Sequence, residues 1–257
     1  MNAVSRRLFC GMFLTIGGDF SQAEAQQQRG GCLSVGSGLK ELSDGSVGSI
    51  SLRMIDGHLA ELQRAARSRV AINSGFLPDS GTVLAGPSCG GPSHRLRMDP
   101  RIAAGLQARG VPVLRYVLAH ELAHFLQYEA SPQTAGLVCE GRLPSSRTIL
   151  MELLADFCAG QILAQLGEDR AVGGLQTAVA LLADYEFANP EHHGTVAERS
   201  NALNFGALAA RHGFGVDMAR LIKNEATFRR HLGGPPARSA PQDLERWFKR
   251  AVEDVFR

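Results

Sequence analysis

The sequence predicts a mainly α-helical domain that carries a small β-sheet, an α+β arrangement. Three observations support this. Apolar residues recur every three or four positions through most of the 257-residue chain, the period of helices with one buried face. Strand-like material is confined to two short runs, Val70-Ala71-Ile72 and Arg95-Leu96-Arg97-Met98. Both lie ahead of the most apolar helix, which runs from about Pro112 to Tyr128. A hydrophobic content of 44% supplies a core, and the length suits one domain with extensions.

Residues 1–25 read as a targeting segment rather than as fold. Ser5-Arg6-Arg7-Leu8-Phe9 opens it, a modest apolar run reaches Ile16, and Ala23-Glu24-Ala25 offers small residues for cleavage. Paired arginines before a weakly hydrophobic, glycine-containing run resemble a twin-arginine export signal. The expected location is therefore periplasmic or extracellular. The run is too short to span a bilayer well. Residues 26–47, rich in Gln, Gly and Ser, form an expected flexible lead-in to a domain over 48–232.

Within that domain, Ser49 to Arg67 shows helical periodicity through Leu52, Ile55, Leu59 and Leu62. Gly75 to Ser93 carries five Gly and three Pro and reads as loop. Pro100 opens a short helix to Arg109, Gly110 breaks it, and Pro112 starts the next. Ala130 to Ser146 is a second expected loop, with Ser145 or Ser146 capping a helix that runs to about Leu166. Val172 to Glu186, Thr195 to Arg211 and Val216 to Leu232 are further expected helices. Thr195 and Glu198 form a T-x-x-E capping box, so Glu198 needs no chemical role. Residues 233–241 read as a linker to a last helix. That helix aligns Leu244, Trp247, Phe248, Ala251, Val252 and Val255 on a face expected to close the domain's own core.

Charge narrows the partners. The 27 basic residues nearly cancel 25 acidic ones, leaving +2, and no basic cluster is interleaved with aromatics. Nucleic acid is not an expected partner. Beyond the leader the cysteines are Cys32, Cys89, Cys139 and Cys158. An even number in an exported chain permits two disulfides. Cys32 and Cys89, both in Gly-rich loops, are the preferred pair, and Cys158 on a helix could simply be buried. None has the CxxC spacing of a cysteine zinc site.

The chemistry concentrates at His120-Glu121-Leu122-Ala123-His124, an H-E-x-x-H motif on the apolar helix. Histidines at i and i+4 stack on one helix face and can converge on one small cation, typically Zn²⁺. Glu121 adjoins the first ligand, where it can reach a water activated by the metal. A catalytic zinc takes three protein ligands. The extension H-x-x-G-x-x-H is absent, since Gln127 and Ala130 stand where its glycine and histidine would be. Glu129, five residues past His124, is rotated off the histidine face. Glu152 is the better ligand, 28 residues after His124 on the apolar helix Ile149 to Asp156. Glu152 and Asp156 sit at i and i+4, and two acids in such a helix are costly to bury unless paired or bound to metal. Asp156 can accept the free ring N–H of a ligating histidine and fix its tautomer.

The combination of H-E-x-x-H with E-x-x-x-D on a second helix resembles the gluzincin metallopeptidases. It is closer to the bacterial neutral zinc metallopeptidase family, over roughly Gly86 to Phe205. The resemblance is carried by His120 to His124 with Gln127, and by Glu152-Leu153-Leu154-Ala155-Asp156 leading to Ala159-Gly160. It extends to His193-Gly194-Thr195 with Arg199, and to Gly86-Pro87-Ser88-Cys89 upstream. Phe125 replaces a second histidine common in that family, and Phe157 intervenes before Cys158. The resemblance implies a zincin-like domain with one Zn²⁺ per chain and a peptide or protein substrate.

On this reading His120, His124 and Glu152 hold the metal and Glu121 is the general base. His193 is the expected oxyanion donor, with Tyr128, Tyr185 and Arg199 as weaker candidates. Arg199 has the alternative role of neutralising Asp156. Two other readings share these residues: a zinc-bearing envelope factor without proteolysis, and a zinc amidase acting on a non-peptide amide. Substrate identity and oligomeric state leave no mark on the sequence.

Overall fold

Ser51 opens the first described element of the computed structural model, which describes residues 50–169, 179, 194–232 and 241–256. Its hydroxyl accepts the Met54 N–H and caps helix α1, Leu52–Ala65, which buries Ile55, Leu59 and Leu62. Three strands follow: β1, Ile72–Phe76; β2, Val83–Gly86; and β3, His94–Met98. Their order is β1-β3-β2, with β1 parallel and β2 antiparallel to β3. The period-two alternation of β3 buries His94, Leu96 and Met98 and turns Arg95 and Arg97 the other way. β2 is an edge strand lying against the motif helix.

Asp99 caps α2, Pro100–Ala108, accepting the Arg101 N–H at 2.8 Å and holding the Gly81 N–H at 3.0 Å. Gly110, at φ +120°, makes the turn that a side-chain-bearing residue would resist, and α3, Val111–Ala130, follows. Then come α4, Pro132–Cys139; α5, Ser145–Gln165; α6, Val196–Arg211; α7, Met218–Lys223; α8, Glu225–Leu232; and α9, Pro241–Val255. One apolar cluster gathers the sheet with α1, α2 and α3. The other joins α5 and α6 to α7, α8 and α9 through Phe157, Phe205, Phe228 and Phe256. Helices α3, α5 and α6 lie where the two clusters meet.

The α5–α6 crossing is unusually close, and two glycines set it. A Cβ on Gly160 would lie 2.0 Å from the Leu203 carbonyl oxygen, and one on Gly206 would lie 1.8 Å from that of Phe157. The two backbones are therefore in direct contact, which brings Arg199 of α6 within reach of Asp156 of α5. Arg147–Gln165 is long and apolar enough to cross a membrane, but 78% of its most apolar stretch is buried inside the domain. Its apolarity serves the packing on α3 and α6.

Several sequence expectations are corrected. The loop expected over Gly75–Ser93 contains β2, whose four residues are too few to announce themselves and depend on pairing with β3. The loop expected over Ala130–Ser146 contains α4, capped by the Ser131 side chain. The first strand starts at Ile72 rather than Val70. α5 begins at Ser145 with Pro144 in the capping position, so neither Ser145 nor Ser146 is its cap. The expected helix over Val216–Leu232 divides at Asn224, whose side-chain amide donates to the Val255 carbonyl and ties the break to α9. Cys89 pairs with Cys139 rather than Cys32, because α4 carries Cys139 to a Cα–Cα distance of 5.7 Å from Cys89. Cys158 is a buried free thiol. The capping box at Thr195 and Glu198 is present. The last helix does close the core, through Ala251, Val252 and Val255. The expected leader and lead-in, Cys32, the expected helix Val172 to Glu186 (Val179 excepted) and most of the expected linker over 233–241 lie outside the described residues.

Gly160→Ala and Gly206→Ala should each lower stability by about 3 kcal/mol or more, since the opposing atom is backbone and cannot give way. Gly57→Ala, on the exposed side of α1 with open space at its Cβ, should instead stabilise by about 0.5–1 kcal/mol. Denaturant unfolding of the three variants checks this; equal effects at Gly57 and Gly206 would contradict the close crossing.

Candidate metal centre

α3 is buried on nearly every face, and its ionisable residues are buried with it: His120 and Glu121 are 0% exposed and His124 is 4% exposed. The i, i+4 spacing brings the two imidazoles edge to face, with their planes 89° apart and Nε2 of each 3.1 Å from the other. Across the α3–α5 interface Glu152 meets both, its Oε2 at 3.0 Å from His120 Nε2 and its Oε1 at 3.4 Å from His124 Nε2. Two imidazole nitrogens cannot present facing lone pairs at such a separation without a cation or a proton between them. Ligands about 2.0–2.1 Å from a tetrahedral zinc are about 3.4 Å from one another. The observed triangle is close to that face, so this buried His-His-Glu group could hold a metal ion.

The outer nitrogen of each histidine is also held. His120 Nδ1 lies 2.9 Å from Asp156 Oδ1, which accepts the Tyr116 hydroxyl at 2.6 Å as well. Arg199 Nε donates to the other oxygen, Oδ2, at 2.7 Å, and its guanidinium lies against the His120 ring and 3.6 Å from Glu152 Oε2. His124 Nδ1 is 2.9 Å from Gln127 Oε1, and the Gln127 amide donates to the Met151 carbonyl at 2.7 Å. Each Nδ1 thus faces an outward acceptor, which leaves Nε2 of each ring as the nitrogen available to a metal.

Burial opposes every charge here, and the neighbours decide which survive. Burial pulls His120 down, but Asp156 and Glu152 outweigh it and raise its pKa from 6.5 to about 9. Burial likewise disfavours the ionised forms of Glu152 and Asp156. The two histidines nevertheless hold Glu152 well below the usual carboxylate range, and Arg199 with His120 holds Asp156 below its own. Glu121 behaves oppositely. Burial, helped by Glu152, pushes it up to about 8, and neither carboxylate oxygen has a hydrogen-bond partner of regular geometry. The Ala85 N–H on β2 offers it only weak support. Such a carboxylate destabilises the fold unless something else uses it.

Of the residues named from sequence, His120, His124, Glu152, Glu121, Asp156 and Arg199 converge, and Arg199 neutralises Asp156. His193 and Tyr185 lie outside the described residues. Tyr128 directs its hydroxyl to the Ala85 carbonyl at 3.2 Å, bracing α3 against the sheet edge. Glu129 turns away from the triangle to His94, at 2.8 Å. Sequence reasoning gave no role to Tyr116, Gln127 or Ala85. The first two carried a readable signal, lying four residues before His120 and three after His124 on the same helix face. Ala85 carried none, because its place depends on sheet pairing.

In comparisons with known proteins, the chain matches no protein family, no curated protein and no solved structure.

The raised His120 pKa fixes the sign of a metal–proton competition. A proton held up to about pH 9 in the metal-free protein stabilises that form fully below pH 6.5 and is lost as pH rises through 9. A ligating imidazole must surrender it. Apparent affinity for a divalent metal should therefore rise about tenfold per pH unit between pH 6 and 8 and level off near pH 9. Competition titrations against a chelator of known affinity measure this; a flat profile would show that His120 carries no proton to displace.

Proposed function

We propose that the protein is a zinc-dependent hydrolase of peptide bonds, in a zincin-like domain, with His120, His124 and Glu152 holding one Zn²⁺ per chain. The observation that carries this reading is Glu121: a buried carboxylate without a regular partner, one residue from a metal ligand and raised toward neutrality. A site that only stored a metal would gain nothing from it. The resemblance of the motifs to the bacterial neutral zinc metallopeptidases supports the same reading, as does the donor set of two imidazoles and one carboxylate.

When bound, zinc supplies a Lewis acid that lowers the pKa of a water to about 7 and polarises a scissile carbonyl. The chain's own residues do the rest. Glu121 accepts a proton at a carboxylate oxygen and delivers it to the departing amine; burial raises its pKa in the metal-free protein, and a bound divalent cation would favour the carboxylate form that the first transfer needs. Asp156 and Gln127 hold the Nδ1–H groups of His120 and His124, so the ligand nitrogens keep their direction. Arg199 keeps Asp156 ionised, and Tyr116 fills its remaining acceptor position. The proposed oxyanion donor is His193, two residues before Thr195 in the sequence. The substrate is proposed to be met outside the cytoplasm, on the expectation that residues 1–25 are an export signal.

Glu121→Gln should keep its metal and lose at least about 100-fold in turnover, the usual contribution of a positioned base. Glu152→Ala should lose bound metal. Metal analysis and hydrolysis of a peptide library, with and without chelator, measure both. Full activity in the Gln variant would remove Glu121 as the base, and unchanged metal content in the Ala variant would remove Glu152 as a ligand.

A further inference from the structure

The stripe that presents His120 and His124 continues one turn further to Tyr128, whose ring lies 6.5 Å from that of His124 with planes 22° apart. Beyond Tyr128 opens a cavity of about 480 Å³, within the size range of small-ligand sites. Its other walls include the Cys89–Cys139 disulfide, His94, Glu129 and Glu140. The cavity thus begins one side chain away from the ligand triangle, between the end of α3, helix α4 and the loop after β2.

Its lining has a definite chemistry. Among the described residues two carboxylates contribute to it, and no lysine or arginine does. Glu129 is fixed by His94, a ring only 6% exposed and stacked on Phe125 at 5.5 Å, so the carboxylate is held rather than free to swing away. More than half of the Glu129 side chain nonetheless remains accessible. Glu140 shares its charge with Arg142 at 2.8 Å, which leaves Glu129 as the principal anchor. Apart from Ser88 and two glycines, the remaining surface, from Tyr128, Pro132, Ala135 and the disulfide, is mainly apolar and partly aromatic. An anionic group would be repelled here, and a wholly apolar one would leave the carboxylates desolvated. An aliphatic stem ending in a cation satisfies both parts, with the stem along the disulfide and Tyr128 and the charge on Glu129.

We propose that this cavity is the specificity subsite and that it takes the guanidinium or ammonium side chain of an arginine or lysine in the peptide substrate. The substrate role rests on the peptidase reading, whereas the binding role stands on the cavity alone. Nα-acetyl-L-argininamide should bind the full-length protein measurably by calorimetry. Nα-acetyl-L-norleucinamide, with a similar stem and no charge, and L-alaninamide, with only an α-amine, should bind far more weakly. Glu129→Gln keeps an acceptor for His94 and removes the charge; it should weaken argininamide binding about fivefold, the upper range for an accessible ion pair. The double variant Glu129→Gln/Glu140→Gln should weaken it roughly twentyfold if the two sites add. Both side chains are mostly exposed, at 60% and 56%, so the thermal midpoint should stay unchanged and the comparison remain interpretable.

Norleucinamide binding as tightly as argininamide, or argininamide binding unaffected by the double variant, overturns the proposal. Tighter binding of L-alaninamide reassigns the cavity to an amino terminus and overturns the side-chain assignment. In a peptide-library digest, the cavity predicts a basic residue enriched at one position near the cleaved bond, with the enrichment lost in the double variant. Charge-selective binding without any cleavage would leave the cavity standing as a cation site and overturn the peptidase reading instead.

Discussion

Asp156 is wholly buried, and three side chains from two other helices converge on it. Tyr116 and His120 reach it from α3 and Arg199 from α6, while Asp156 itself belongs to α5. A lone buried carboxylate would be protonated or excluded. Here the Arg199 guanidinium keeps it charged, and that charge directs His120. The arrangement is possible only because Gly160 and Gly206 let α5 and α6 touch backbone to backbone. Removal of either partner would leave an uncompensated buried charge, an expensive defect. One ion pair therefore ties the packing of the helices to the direction of the His120 ring, a proposed metal ligand.

The two histidines are supported differently. His120 leans on an ionised carboxylate backed by an arginine, and His124 on a neutral amide anchored to the Met151 carbonyl. Glu152 follows Met151 directly, so the Gln127 contact also fixes the local register of α5 against α3. Glu152, the proposed third ligand, is thereby positioned from both sides, through Asp156 one turn ahead and through Met151 one residue behind. Glu121 alone is left without such support, which is the condition under which a carboxylate can exchange a proton.

Much of the centre was legible in the sequence because helical spacing is short-range. H-E-x-x-H and E-x-x-x-D each declare a shared face, and buried acids in an apolar helix declare a need for partners. The capping residues Thr195 and Glu198 and the buried last helix were legible for the same reason. What the sequence hid depends on contacts distant along the chain. β2 exists through β3, the Cys89–Cys139 link exists because α4 delivers Cys139, and Ala85 meets Glu121 through sheet geometry. Arg199 was visible as a candidate, but its pairing with Asp156 was one of two open roles until the glycine contact between α5 and α6 set the distance.

The central claim is that two imidazoles and a carboxylate from separate helices grip one divalent ion. X-ray absorption at the zinc edge of the metal-loaded protein tests it most directly. The account predicts one zinc per chain with two imidazole nitrogens at about 2.0–2.1 Å and one carboxylate oxygen at a similar distance. A sulfur-containing shell, a single imidazole, or a spectrum unchanged in the His124→Ala protein would contradict it.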